Sequence, residues 1–221
     1  MSYSPIQAGF RSGYSTLTNL LTLNHLIEDS STSHITFLDF QSAFDRVESS
    51  HLELELKKQG LHPRVLELVY RLMYHDMSYA LVVNGTQSRF QSRTRGLPQG
   101  SPLAPILFNR FINSLLQDLN QNTKTDSPAA LFFADDGVII ATNARQAQHL
   151  LNIATSWADT HAMRFNIRKC GHLVSRRQAV NDMISPLFLH NLPIPQVQSD
   201  KVPRGNHITN RSQLFRLSCN A

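Results

Sequence analysis

The chain has 221 residues, 41% hydrophobic and 17% charged, with a formal net charge of +5, which suits one folded domain with a sizeable core. No stretch approaches the roughly 20 apolar residues of a membrane span, Met1 to Gly13 lacks the apolar segment of a signal peptide, and Cys170 and Cys219 alone exclude a disulfide framework or a Cys-rich zinc site. These features point to an intracellular protein, cytoplasmic or nuclear and not secreted, with no membrane partner.

Leu17, Leu20, Leu21 and Leu23 recur at helical spacing and predict a helix over 15–27. A polar loop, Glu28 to Ser33, leads into a strand that carries Asp39 among apolar residues, then a short turn or helix at 42–47. Helices are expected at 50–59 and 63–74, the second with Val65, Leu66, Val69, Leu72 and Met73 on its apolar face. Tyr79 to Val83 and Ser88 to Ser92 flank Asn84-Gly85 as a hairpin. A helix over 101–119 follows, with Ser101 as N-cap and Pro102 at the first helical position. Residues 129–142 read as a tight hairpin with Asp135 and Asp136 at its tip, and 145–160 as a helix turning Leu150, Leu151, Ala154, Trp157 and Ala158 to a core. Beyond about residue 175 the periodicity fails among Pro186, Pro193, Pro195 and Pro203; Leu187-Phe188-Leu189 suits a short strand, and little order is expected from Asp200 onward. This order of elements predicts an α+β fold, an antiparallel sheet backed by helices.

A carboxylate inside an apolar strand is costly unless a cation or strong donors hold it. Asp39 is one such group, and with Asp135 and Asp136 from a separate hairpin it can converge on hard divalent ions. Mg²⁺ favours a few carboxylates plus substrate phosphates, and two ions can clamp the attacking and leaving oxygens of a phosphoryl transfer. Asp-Gly is also ordinary turn chemistry, a reading that accounts for the hairpin but not for Asp39. Neighbouring strand residues point to opposite faces, so Asp135 and Asp136 both face inward only if the turn twists them, and Gly137 is the expected place. Residues 164–221 hold nine Lys/Arg against two Asp/Glu, whereas 1–163 hold twelve against fourteen. A basic end fits phosphate-backbone contact or a solvated tail.

Four segments, in order, resemble motifs of reverse transcriptases, most closely the non-LTR (LINE-like) retrotransposon branch. Gln7-Ala8-Gly9-Phe10-Arg11-Ser12-Gly13-Tyr14-Ser15-Thr16 resembles the fingers motif, Phe37-Leu38-Asp39-Phe40-Gln41-Ser42-Ala43-Phe44-Asp45-Arg46-Val47 the first palm motif, the segment from Arg95 through Gly96-Leu97-Pro98-Gln99-Gly100-Ser101-Pro102 to Asn109 the next, and Phe133-Ala134-Asp135-Asp136 the aromatic-Ala-Asp-Asp motif. A later segment ending Asn166-Ile167-Arg168-Lys169 resembles the palm motif Asn-x-x-Lys.

The resemblance implies the palm of a right-hand polymerase with partial fingers over 1–175, and a degenerate segment without a thumb over 176–221. It implies an RNA-directed DNA polymerase domain that adds deoxynucleotides to a primer 3′-hydroxyl by two-metal phosphoryl transfer. Asp39, Asp135 and Asp136 would be the catalytic acids and the ligands of two Mg²⁺ (or Mn²⁺) ions, Asp39 and Asp135 directly and Asp136 beside them. Phe44 would be the steric gate against a ribose 2′-hydroxyl; Gln99 and Gly100 would meet the incoming nucleotide and Lys169 its leaving pyrophosphate; Arg11 and Arg95 would contact nucleic acid. The partners implied are an RNA template, a DNA primer and deoxynucleoside triphosphates. The upstream fingers strands, a clear primer grip, the thumb and an endonuclease have no counterpart here, so a copy truncated at both ends is expected. The alternatives are an inactive nucleic-acid-binding remnant, or another palm-class polymerase such as an intron-encoded reverse transcriptase or an RNA-dependent RNA polymerase.

Overall fold

Apolar periodicity settles most elements of this chain, whose computed structural model describes residues 3–28, 33–75, 78–121, 128–174 and 186–197. Helix α1 (Thr16–Glu28) turns Leu23 and Leu26 inward. Strand β1 (His34–Asp39) follows, then the single turn α2 (Ala43–Arg46), α3 (Ser49–Lys58) and α4 (Pro63–Tyr70). The helix expected to reach 74 widens at Arg71 into a π-helical turn, Arg71–His75, that buries Met73 and Tyr74 together. Strands β2 (Ser78–Tyr79), β3 (Val82–Val83), β4 (Thr86–Gln87) and β5 (Gln91–Ser92) form the expected hairpin as two short ladders. Asn84 and Gly85 turn it at φ 51° and 77°, the positive values a two-residue hairpin loop demands.

The helix expected over 101–119 differs in two ways. It starts at Ala104 as α5 (Ala104–Phe111), with Leu103 at the N-cap and Pro105 in the first turn, because the Ser101 hydroxyl is spent on the Leu103 amide in a preceding turn. It is then interrupted at Ile112 before α6 (Asn113–Gln121), where the Arg110 carbonyl accepts from Gln59 Nε2 at 2.7 Å. Strands β6 (Ala130–Phe133) and β7 (Asp136–Ala141) form the acidic hairpin, and α7 (Ala144–Thr160) follows, its N-cap Asn143 accepting from the Gln146 amide. Strand β8 (Gly171–Val174) and the short pair β9 (Phe188–Leu189) and β10 (Leu192–Pro193) complete the described elements.

One four-stranded sheet, antiparallel throughout in the order β6-β7-β1-β8, organises these pieces. Its outer edges are covered, as exposed edges invite mispairing. Ala8 N donates to the Phe132 carbonyl and Phe132 N to the Ile6 carbonyl on one side, and His172 exchanges backbone bonds with Pro195 and Val197 on the other. Leu38, Phe132 and Ile139 face the main core, built with α3, α5, α6 and α7. Ile35, Leu131 and Ile140 face the opposite way, against Leu23 and Leu26 of α1.

The prolines after residue 185 do not end the core. Leu187, Leu189 and Ile194 are buried, and Gln148 of α7 grips the Phe188 backbone through both ends of its carboxamide. The expected loss of order from Asp200 onward concerns residues outside those described. Among the described residues no helix is long and apolar enough to cross a membrane.

Candidate active site

Strand alternation dictates where the acids fall. On β1, Ile35, Phe37 and Asp39 share a face; on β7, so do Asp136, Val138 and Ile140, and the register sets Asp39 directly opposite Asp136. Helix α1 packs on that face over Ile35, Leu131 and Ile140, and its Asn19 side chain donates to the Phe132 carbonyl at 2.9 Å. The two carboxylates lie at the end of the face beyond the apolar residues that α1 covers. Like charges directly opposite on neighbouring strands destabilise a sheet, so this pairing asks for a cation.

Asp135 joins them from the turn. The turn residues are Ala134 and Asp135, with Phe133 paired to Asp136, and the positive φ is at Ala134 (58°). Gly137 was the expected turning point but lies within β7 opposite Leu38. Its lack of a side chain serves packing: a Cβ there would meet the Phe132 ring at 2.5 Å.

The electrostatics tie the three acids together. Burial raises the Asp39 carboxyl above its ordinary range, the Lys169 ammonium pulls it down, and the Asp135 charge raises it again. Burial, then Asp135 and Asp39, push Asp136 up to about 6. Lys169 Nζ stands 3.9 Å from Asp39 Oδ2 because Phe40 bridges to Phe165 and the Asn166 amide donates to the Asp39 carbonyl, which lays this later segment along the end of β1. Among the described residues no three His, Cys, Asp or Glu side chains are already grouped as a metal site. The donor set nevertheless suits a hard divalent ion: carboxylate oxygens, with Asp39 and Asp136 raised by burial and then by neighbouring acids, and one lysine as the nearby counter-charge.

Phe44 is placed by α2 and stacks on Phe108, with ring centroids 4.5 Å apart, while exposed Phe10 meets it edge-on at 6.3 Å. The strand-like run from Arg95 to Leu97 is pinned behind it: Leu97 N donates to the Phe44 carbonyl and Gly96 N to the Val47 carbonyl. Gln99 and Gly100 are exposed, and Gly100 has φ 86° with open space around it. They precede α5 by a further turn rather than standing at its first residue, which separates them from the helix N-terminus expected beside them. Arg95 pairs with Glu48 at 3.1 Å. Arg11 donates to the carbonyls of Ser4 and Gln7 and lies 4.2 Å over the Tyr14 ring, so its guanidinium is spent on its own loop.

Two residues at the ends of motif segments, Gln7 and Asn109, support the acidic turn although no site role was expected of either. Gln7, buried at 1% exposure, bonds the backbone of Ala134, and Asn109 Nδ2 donates to the Gly9 carbonyl at 2.7 Å. Their places within the fingers motif and the motif ending at Asn109 were the available signal.

The layout of a helix-backed antiparallel sheet with acids at one open end is that of a polymerase palm. The family profile described as reverse transcriptase (RNA-dependent DNA polymerase) matches residues 1–201, and the chain belongs to this family. It is 27% identical over 195 residues to the RNA-directed DNA polymerase from mobile element jockey of Drosophila melanogaster, covering 81% of this chain and 21% of that protein. It is 30% identical over 141 residues to a Pol polyprotein from the type-1 retrotransposable element R2 of Nasonia vitripennis, covering 62% and 14%. These relatives place the domain with those of non-LTR retrotransposons. The chain therefore spans about a fifth or less of the length of these two relatives. Among solved structures, telomerase from Candida tropicalis is similar in fold, with a TM-score of 0.61 at 12% identity over 78% of this chain and 34% of that one.

Proposed function

We propose that this domain is the metal- and nucleotide-binding corner of an RNA-directed DNA polymerase, working inside the cell on an RNA template and a DNA primer. The observation that carries this reading is the facing pair Asp39 and Asp136, coupled to Asp135 and flanked by Lys169 at one sheet end. Asp39 and Asp135 are assigned to two Mg²⁺ or Mn²⁺ ions, with Asp136 supporting them. When bound, such ions would supply the positive charge the carboxylates lack and stabilise charge developing on a transferred phosphoryl group.

The remaining roles belong to side chains of this chain. Phe44, backed by Phe108, stands as a rigid wall against a 2′-hydroxyl. Gln99 and Gly100 offer an open backbone to an incoming nucleotide, and Lys169 is assigned to the leaving pyrophosphate. Arg95 is assigned to nucleic-acid backbone contact; Arg11 reaches it only after releasing its loop carbonyls. Residues 1–175 would carry this corner with partial fingers, and 176–221 an appended segment.

The test is a Mn²⁺ titration of the purified chain by electron paramagnetic resonance, with a primed RNA and a deoxynucleotide present. Asp39→Asn and Asp135→Asn are each expected to weaken binding at least tenfold with the fold intact by circular dichroism. Any primer extension should vanish in the same variants. Binding that is unchanged in both would remove these residues from the site.

A further inference from the structure

Gln7 and Ala134 are 127 positions apart, yet the Gln7 carboxamide engages both backbone polar atoms of Ala134. Oε1 accepts from Ala134 N at 3.0 Å and from Gly9 N at 2.8 Å, while Nε2 donates to the Ala134 carbonyl at 3.1 Å. The ladder explains why a side chain is needed. Residues 6 and 8 bond Phe132 in parallel-strand fashion, but at Ala134 the chain leaves the ladder for the turn. The Gln7 amide takes over there, offering the donor and acceptor that a neighbouring backbone would otherwise provide.

Ala134 also requires holding. At φ 58° a residue with a Cβ is strained, because the Cβ crowds the following carbonyl oxygen. Two buried hydrogen bonds to its backbone oppose that strain, and the third, from Gly9 N, fixes the Gln7 carboxamide itself. Gly9 closes the clamp from the other side: a Cβ on it would lie 2.2 Å from Ala134 N, so the two backbones are in direct contact. Asn109 of α5 in turn holds the Gly9 carbonyl.

We propose that Gln7 is a positioning residue for the acidic turn, holding Ala134 in its left-handed conformation so that Asp135 is presented beside Asp39. The proposal rests on the reading of Asp39 and Asp135 as the metal-binding acids. Gln7 itself touches no reacting atom; it acts through the turn, and its loss should loosen the acids before it loosens the fold.

The test uses the whole chain and three measurements: amide hydrogen exchange at Ala134 by NMR, Mn²⁺ affinity with primed RNA and deoxynucleotide present, and thermal stability. In the wild type the Ala134 amide should be protected to the degree of ladder amides such as Ile139. Gln7→Met, which keeps the length but removes all three bonds, should speed Ala134 exchange at least tenfold with Ile139 unchanged. It should also weaken Mn²⁺ binding roughly tenfold. Asn113→Ala is the control, because it cuts the Asn113 Oδ1 bond to Ser4 N in the same N-terminal segment without touching the turn. At an equal loss of melting temperature, the control should keep its Mn²⁺ affinity.

An Ala134 amide that exchanges like an exposed turn in the wild type overturns the proposal, and this result is available even if Gln7→Met does not fold. Equal Mn²⁺ affinity in wild type and Gln7→Met overturns it while leaving the metal site standing. A wild type that binds no Mn²⁺ overturns both.

Discussion

Glu55 provides the sharpest test of how the helical layer is held together. Its carboxylate is 2% exposed and accepts from Lys58 Nζ at 2.8 Å and His161 Nε2 at 3.1 Å. His161 is itself buried, with Nδ1 2.8 Å from the Trp157 carbonyl, and Trp157 Nε1 donates to Ser114. Burial pushes the Glu55 carboxyl upward, but hydrogen bonds from His161, Lys58 and Ser114 together outweigh it and bring the group from an ordinary 4.5 down to about 2. A group depressed by that much contributes on the order of 3 kcal/mol. That stability is fully present above pH 4.5 and is lost as pH falls towards 2. Glu55→Gln keeps the shape and removes the charge, leaving buried His161 facing a neutral amide. Lys58 is largely exposed and loses little. For a domain of this size about 2–4 °C accompanies each kcal/mol, so Glu55→Gln should lower the melting temperature by roughly 6–12 °C at pH 7. The gap should narrow between pH 4.5 and pH 2. Differential scanning calorimetry across that range measures both. A variant within about 2 °C of the wild type at pH 7 would show that the network does not hold these helices.

Asp136 should behave in the opposite sense. Its folded value of about 6 lies above the ordinary 3.8, so ionisation destabilises the fold and the penalty grows as pH rises from about 4 through 6. Asp136→Asn is expected to raise the melting temperature of the metal-free chain at pH 8, with the gain gone below pH 4; a loss at pH 8 would contradict the electrostatic account. Gly137→Ala drives a Cβ to 2.5 Å from the fully buried Phe132 ring and should cost about 1–3 kcal/mol by overpacking, read as a lower midpoint in urea. Cys170 is 4% exposed and its thiol is pushed up to about 11 by burial. Alkylation at pH 8, followed by peptide mass spectrometry, should label Cys170 only on unfolding; rapid labelling of the native chain would place it at the surface.

The local pattern of the chain was sufficient for the acidic hairpin, the strand that carries Asp39, the Asn84-Gly85 turn and helix α7. Each of these is written in a run of residues that decides its own periodicity, turn chemistry or cap. The family motifs, likewise contiguous, pointed to the same three acids. The bounds of α5 depart from the pattern for one local and one tertiary reason: the Ser101 hydroxyl closes a preceding turn on the Leu103 amide, so α5 starts three residues later, and Gln59 takes the Arg110 carbonyl just before the helix is interrupted.

What only the folded chain could decide are the pairings between distant residues. Asp39 meets Asp136 because β1 inserts between β7 and β8, an order no local run of residues encodes. Lys169 reaches Asp39, Glu55 reaches His161, and Gln7 reaches Ala134 across 127 positions for the same reason. Periodicity and capping are set by interactions within a few residues, whereas these contacts depend on which elements become neighbours when the two apolar faces of the sheet are buried.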